Sequence, residues 1–118
     1  MKINVYLDDL RDCPEGFVLA KNIDELKNIF EENEVEILSL DHDLGMDGKG
    51  NLLLTGYDFV KYFCENGLFC DKIYLHTDNV VGKKAMEDVL RASQRRDFIS
   101  KDIQIFPYPL VPNKYSGK

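Results

Sequence analysis

Three short clusters carry nearly all the residue types able to do chemistry: Asp8-Asp9 with Arg11, Asp41-His42-Asp43, and His76-Thr77-Asp78-Asn79. Both histidines of the chain fall within them. Carboxylates brought to one place repel each other and raise one another's pKa values. A divalent cation such as Mg²⁺ or Mn²⁺ relieves that repulsion, since hard cations prefer oxygen ligands, and it can also hold a phosphate oxygen. The carboxylates of these clusters are the candidate oxygen ligands for it. Arg11 is suited to charge-assisted hydrogen bonds with a phosphate, and Thr77 and Asn79 to neutral ones. His42 and His76 are the candidate acid and base, with an unperturbed pKa near 6.5, and Asp43 is placed to orient a histidine.

Each cluster alone has a plainer meaning. Asp-Asp after a strand is ordinary turn chemistry, Asp41 and Asp43 can organise a loop, and His76 can be a packed, satisfied side chain. Asp12, Asp47 and Asp78 read as solvated loop charges. The argument for function rests on position, because each cluster follows a predicted strand.

Those strands are KINVYL at 2–7, VEILSL at 35–40 and KIYLH at 72–76, with IQIF at 103–106 as the last, ended by Pro107 and Pro109. FVLA at 17–20 is a brief apolar stretch after a loop holding Pro14 and Gly16. Asn22 with Glu25 resembles a capping box, opening a helix to about Asn33 with Ile23, Leu26, Ile29 and Phe30 on one face. Thr55 with Asp58 opens a second helix, ending at Gly67, with Phe59, Val60, Phe63 and Cys64 inward. A third runs from about Val81 to Arg95 and buries Ala85, Met86, Val89 and Leu90. Residues 41–54 form a glycine-containing loop.

Alternating strands and helices imply a parallel sheet with right-handed crossovers, and ligands of such sheets bind beyond the strands' carboxyl ends. The connection from the first strand to FVLA has only about nine residues, too few for a helical crossover. A helix is therefore expected to be missing there, leaving one sheet face thinly covered.

The 118 residues fit one domain, 1–118. With 44% hydrophobic and 31% charged residues the composition is that of a soluble globular protein. No apolar run suits a membrane span, and MKINVYLDD has no secretion-signal pattern. Three cysteines without ligand spacing argue against a disulfide framework or a structural zinc site and favour a reducing cytoplasm. A net charge of −6 disfavours duplex nucleic-acid binding. The basic cluster Arg91, Arg95 and Arg96 suits the end of a helix dipole instead.

LDDLR at 7–11, SLDHDLG at 39–45, TGYD at 55–58 and HTDN at 76–79 together resemble the receiver-like family named for cyclic-phosphate processing, a divergent branch of the two-component receiver domains. The resemblance runs from the first strand through the helix after HTDN. It implies a flavodoxin-like, three-layer α/β sandwich with a five-stranded, mainly parallel sheet and without the first receiver helix. It also implies that Asp8 and Asp9 help bind a divalent cation and that Asp41 occupies the phosphoacceptor position. Gly56 matches the glycine opening the next helix, and either Thr77 or His76 stands where receivers contact the phosphoryl group with a hydroxyl. The chain departs from receivers in having IFPYP where they carry a lysine before proline, and in its two histidines.

Two functions follow. In the first, the domain is a metal-dependent phosphoesterase that hydrolyses or processes a cyclic phosphate on a nucleotide or RNA end, with His42, His76, Asp41 and Asp43 as catalytic residues. The cyclic-phosphate substrate comes from the resemblance alone. In the second, it is a non-enzymatic signalling module that accepts a phosphoryl group at Asp41 or binds a phosphorylated ligand. Movement or contact at Leu52-Leu53-Leu54 would suit that role. A third reading makes the domain a protein-binding module through its thinly covered face or its tail.

Overall fold

The alternating pattern of the first strand and the nearly continuous apolar end of the next long one already separate a half-covered surface from a buried core. The computed structural model describes residues 2–9, 13–44 and 54–110. In chain order the elements are β1 (Lys2–Leu7), β2 (Phe17–Ala20), α1 (Ile23–Glu32), β3 (Glu34–Leu40), α2 (Gly56–Glu65), β4 (Cys70–Leu75), α3 (Val80–Arg95) and β5 (Gln104–Phe106). The strands form one sheet in the order β2-β1-β3-β4-β5, and every neighbouring pair is parallel. This is the α/β receiver or flavodoxin-like topology.

FVLA is a full member of the sheet, pairing Asn4 with Phe17 through Leu7 with Ala20. Among the described residues no helix lies between β1 and β2. A turn closed by the Phe17 amide on the Pro14 carbonyl (3.1 Å) leads into β2. Gly16 within it has φ +85°, which a side-chain-bearing residue adopts only under strain.

The helices start where their caps predict. Asn22 accepts from the Glu25 amide, and Thr55 and Asp58 form a complete reciprocal capping box. Crossovers β2 to β3, β3 to β4 and β4 to β5 all step the same way across the sheet. Right-handed connections therefore put α1, α2 and α3 on one face, where α2 packs beside both α1 and α3. Phe59 and Phe63 of α2 and Met86 and Leu90 of α3 bury there against Val5, Leu7, Leu38, Leu40, Ile73 and Leu75. Removing a ring such as Phe59 from this layer would cost about 3–5 kcal/mol.

Helix α3 differs in detail from expectation. Its buried residues are Gly82, Met86, Leu90 and Ser93, while Ala85 and Val89 are only half-buried. The contact line is narrow because α3 covers the edge of the sheet, and Val89 turns toward a cavity of about 400 Å³ shared with Cys64 and Phe98. Arg91 pairs with Glu87 at 2.9 Å and reaches the Ile105 carbonyl at 3.3 Å.

A crossover helix between β1 and β2 would step the other way and cover the opposite face. There the described residues present strand side chains instead, in two aromatic groups. Tyr6 meets Phe17 edge-on, and Tyr74 stacks on Phe106 at 4.6 Å. No helix among the described residues is long and apolar enough to cross a membrane.

Candidate metal and phosphate site

The backbone ladder continues one residue past three strands. The Asp8 amide donates to the Ala20 carbonyl at 3.0 Å, Asp41 to Leu7 at 3.1 Å, and His76 to Leu40 at 2.9 Å. Asp8, Asp41 and His76 thus stand in a row at the carboxyl ends of β1, β3 and β4. Their ligand-capable atoms all lie within 4.8 Å of one another.

Asp8 is 1% exposed, and a carboxylate buried to that degree must be partnered. Its Oδ2 lies 3.0 Å from His76 Nε2. With Asp8 ionised, Nε2–H donates, and in the neutral ring the Ser39 hydroxyl donates to Nδ1 at 2.7 Å. Tyr6 stacks on the same imidazole at 4.2 Å with the rings 3° apart. His76 is therefore held on both edges and one face.

Asp41 is half-buried. Its Oδ1 accepts the His42 amide at 2.8 Å, and the Thr77 side chain lies beside its carboxylate. Burial pushes the Asp41 carboxyl above its ordinary pKa, and the neighbouring Asp8 charge adds to this. His76, the His42 amide and Thr77 pull it back down. The Thr77 oxygen in turn accepts the Asn79 amide at 3.1 Å.

A second cluster lies beside the first. His42 Nδ1 is 2.9 Å from Asp43 Oδ1, and Asn79 Nδ2 donates to Asp43 Oδ2 at 3.2 Å. Asn79 Nδ2 also lies 3.4 Å from His42 Nδ1. The His42 hydrogen bond holds the Asp43 carboxyl below its ordinary pKa, with Asn79 helping. Asn79 is the N-cap of α3, its Oδ1 accepting the Gly82 amide at 2.8 Å. The Gly56 amide donates to the His42 carbonyl at 2.9 Å. A Cβ on Gly56 would run into the Asp41 carbonyl oxygen, so only glycine fits there.

The fold thus gathers Asp8, Asp41, His76 and Thr77 in one group and His42, Asp43 and Asn79 in another. Asp9 follows Asp8, and its Oδ1 is buried without a hydrogen-bond partner among the described residues. Asp78 is exposed. Arg11, Asp12, Asp47, Leu52 and Leu53 lie outside the described residues. Sequence reasoning passed over Ser39, Tyr6 and Gly82. A serine at the apolar end of VEILSL is the one signal that pointed to a buried polar partner.

Two adjacent carboxylates, one with its pKa driven upward, and an orphaned Asp9 oxygen make a donor set that a hard divalent cation fits. Asp8, Asp41 and His76 could hold such a metal.

A 2-1-3-4-5 parallel sheet with acidic residues at the ends of β1 and β3 defines a receiver-like domain. More narrowly, the chain belongs to the family described as the cyclic-phosphate processing receiver domain, whose model matches residues 3–92. No curated protein and no solved structure matches the chain. The family match takes in every residue of both clusters and ends inside α3.

Proposed function

We propose that this domain carries out metal-dependent phosphoester chemistry, hydrolysing or processing a cyclic phosphate on a nucleotide or RNA end. The observation that carries the reading is the convergence of Asp8, Asp41 and His76 within 4.8 Å at the carboxyl edge of the sheet. Family membership supports the cyclic-phosphate part.

In this reading Asp8, Asp9 and Asp41 hold Mg²⁺ or Mn²⁺, with His76 in reach. A cation so held polarises a phosphate and lowers the pKa of a bound water. His76, fixed by Ser39, Asp8 and Tyr6, keeps Asp8 in place. The acid–base work falls to His42, whose side chain is 17% exposed against 1% for His76. Asp43 accepts from Nδ1–H and leaves Nε2 to move a proton to or from an ester oxygen. Thr77 and Arg11 are the phosphate donors. Asn79, bonded to Asp43 and to its own helix, acts through them.

The placing of Thr77 beside Asp41 favours a second reading. A hydroxyl just past β4 beside a carboxylate just past β3 is the layout of a phosphoacceptor, which makes Asp41 the acceptor in a signalling module.

Isothermal titration of Mg²⁺ and Mn²⁺ into the wild type and Asp8→Asn/Asp41→Asn tests the cation site. Saturable binding by the wild type, abolished in the double variant, is expected. No binding up to millimolar metal overturns both readings. Incubation with a nucleoside 2′,3′-cyclic phosphate, and separately with acetyl phosphate, then decides between them. Turnover without an adduct is expected, whereas a stable mass gain at Asp41 supports the module.

A further inference from the structure

Gly82, in the first turn of α3, lies against the imidazole of His42. A Cβ built there would stand 2.5 Å from Cδ2, 2.6 Å from Cγ and 2.8 Å from Nε2. Side-chain carbons do not approach that closely, so any other residue must displace the ring. Three nearly equal distances mean that the glycine lies over the face of the ring, not at its edge. The in-plane lone pair of Nε2 is therefore not covered by it.

The helix gains nothing from this glycine. Its φ is not positive, and glycine within a helix is a destabilising choice. What it provides is room. The same residue's amide donates to Asn79 Oδ1, Asn79 Nδ2 donates to Asp43, and Asp43 accepts from His42 Nδ1. Starting from Gly82, the chain of contacts returns to the ring that Gly82 supports.

We propose that Gly82 and Asn79 are positioning residues that lock His42 as its Nδ1–H tautomer with Nε2 free to transfer the proton. The proposal rests on the phosphoester reading above for what that proton does. Asp43 alone is exposed and cannot fix a ring against solvent. The glycine slot supplies the second constraint, and the Asn79 amide keeps Asp43 from swinging away.

The test uses long-range ¹H–¹⁵N spectra of the histidines in the metal-free protein at alkaline pH. The wild type is expected to show the Nδ1–H form for His42. In Gly82→Ala the ring is displaced from Asp43 and His42 reverts to the Nε2–H form that free imidazole prefers. An unchanged His76 pattern in the same spectra reports an intact sheet. Asn79→Ser keeps a capping oxygen but deletes the bond to Asp43, and shifts the tautomer balance in the same direction by a smaller amount. With a nucleoside 2′,3′-cyclic phosphate and Mn²⁺, Gly82→Ala lowers kcat about tenfold with KM unchanged. Gly82→Ala added to His42→Gln lowers it no further, because the glycine acts only through that ring. Retention of the Nδ1–H form in both single variants overturns the proposal. Absence of turnover in the wild type overturns the phosphoester reading instead, and the spectra still decide the slot.

Discussion

Among the described residues are two aspartate–histidine pairs of nearly equal length and opposite surroundings. Asp8 and His76 meet at 3.0 Å with 1% of each side chain exposed, and His42 and Asp43 meet at 2.9 Å with 17% and 65% exposed. In the first pair no water can replace a lost partner, so Ser39 and Tyr6 are recruited until every edge of His76 is occupied. In the second, solvent shares the load, and none of the described residues hydrogen-bonds Nε2 of His42. The same contact distance therefore encloses one ring fully and leaves the other open to solvent.

The largest effect should come from breaking the buried pair. His76→Ala is expected to lower the unfolding free energy by about 3–5 kcal/mol, because the buried Asp8 carboxylate loses its imidazole partner and a cavity opens beside Tyr6. His42→Ala should cost about 1 kcal/mol or less. Urea denaturation of both variants measures the difference, and equal losses would erase the distinction.

A smaller effect is expected at Asp41, which sits between the pairs. Burial and the Asp8 charge raise its folded pKa, so the native state binds the more protons between the unfolded and folded values. Its contribution is present below the unfolded pKa and is lost as pH rises through the folded one. Asp41→Asn should therefore raise Tm at pH 7 and lose that advantage at pH 3. A lower Tm at pH 7 would show that Asp41 is stabilised rather than strained by its neighbours.

The smallest effect is expected at Asp43, whose pKa is depressed by His42. Its contribution is present above the unfolded carboxylate pKa and disappears as pH falls through the lower folded value. Because the group is largely solvated, Asp43→Asn should cost about half a kcal/mol or less at pH 7. Nothing should be lost once the pH is below the folded value. A cost that persists at acid pH would mean that Asn79, and not the ion pair, is what Asp43 serves.

Much of this was written locally in the sequence. Capping residues Asn22 and Thr55 mark where two helices begin, and a nine-residue connection leaves no room for a first crossover helix. The acidic residues and histidines fall at strand ends because in a parallel sheet those ends share one edge. What could not be read is whatever depends on register across strands. Ser39 meets His76 only because β3 and β4 pair Ser39 with Tyr74. Tyr6 reaches the same ring because β1 sits on the other side of β3. The contrast between the histidines is one of burial, which neighbouring residues in the chain do not encode. Gly82 gave no signal, since a glycine inside a helix looks like a weak helix former until the ring beside it is seen.

The placement of β1 has a temporal consequence. It comes first in the chain yet lies inside the sheet, and Asp8 is synthesised 68 residues before the imidazole that covers it. Until β4 seats against β3, that carboxylate must stay hydrated, and the middle of the sheet stays wet with it. A half-made chain can pair β1 with β2 and β3, but it cannot bring Asp8, Asp41 and His76 together. The cluster that could hold a metal is thus also the domain's own certificate of completion.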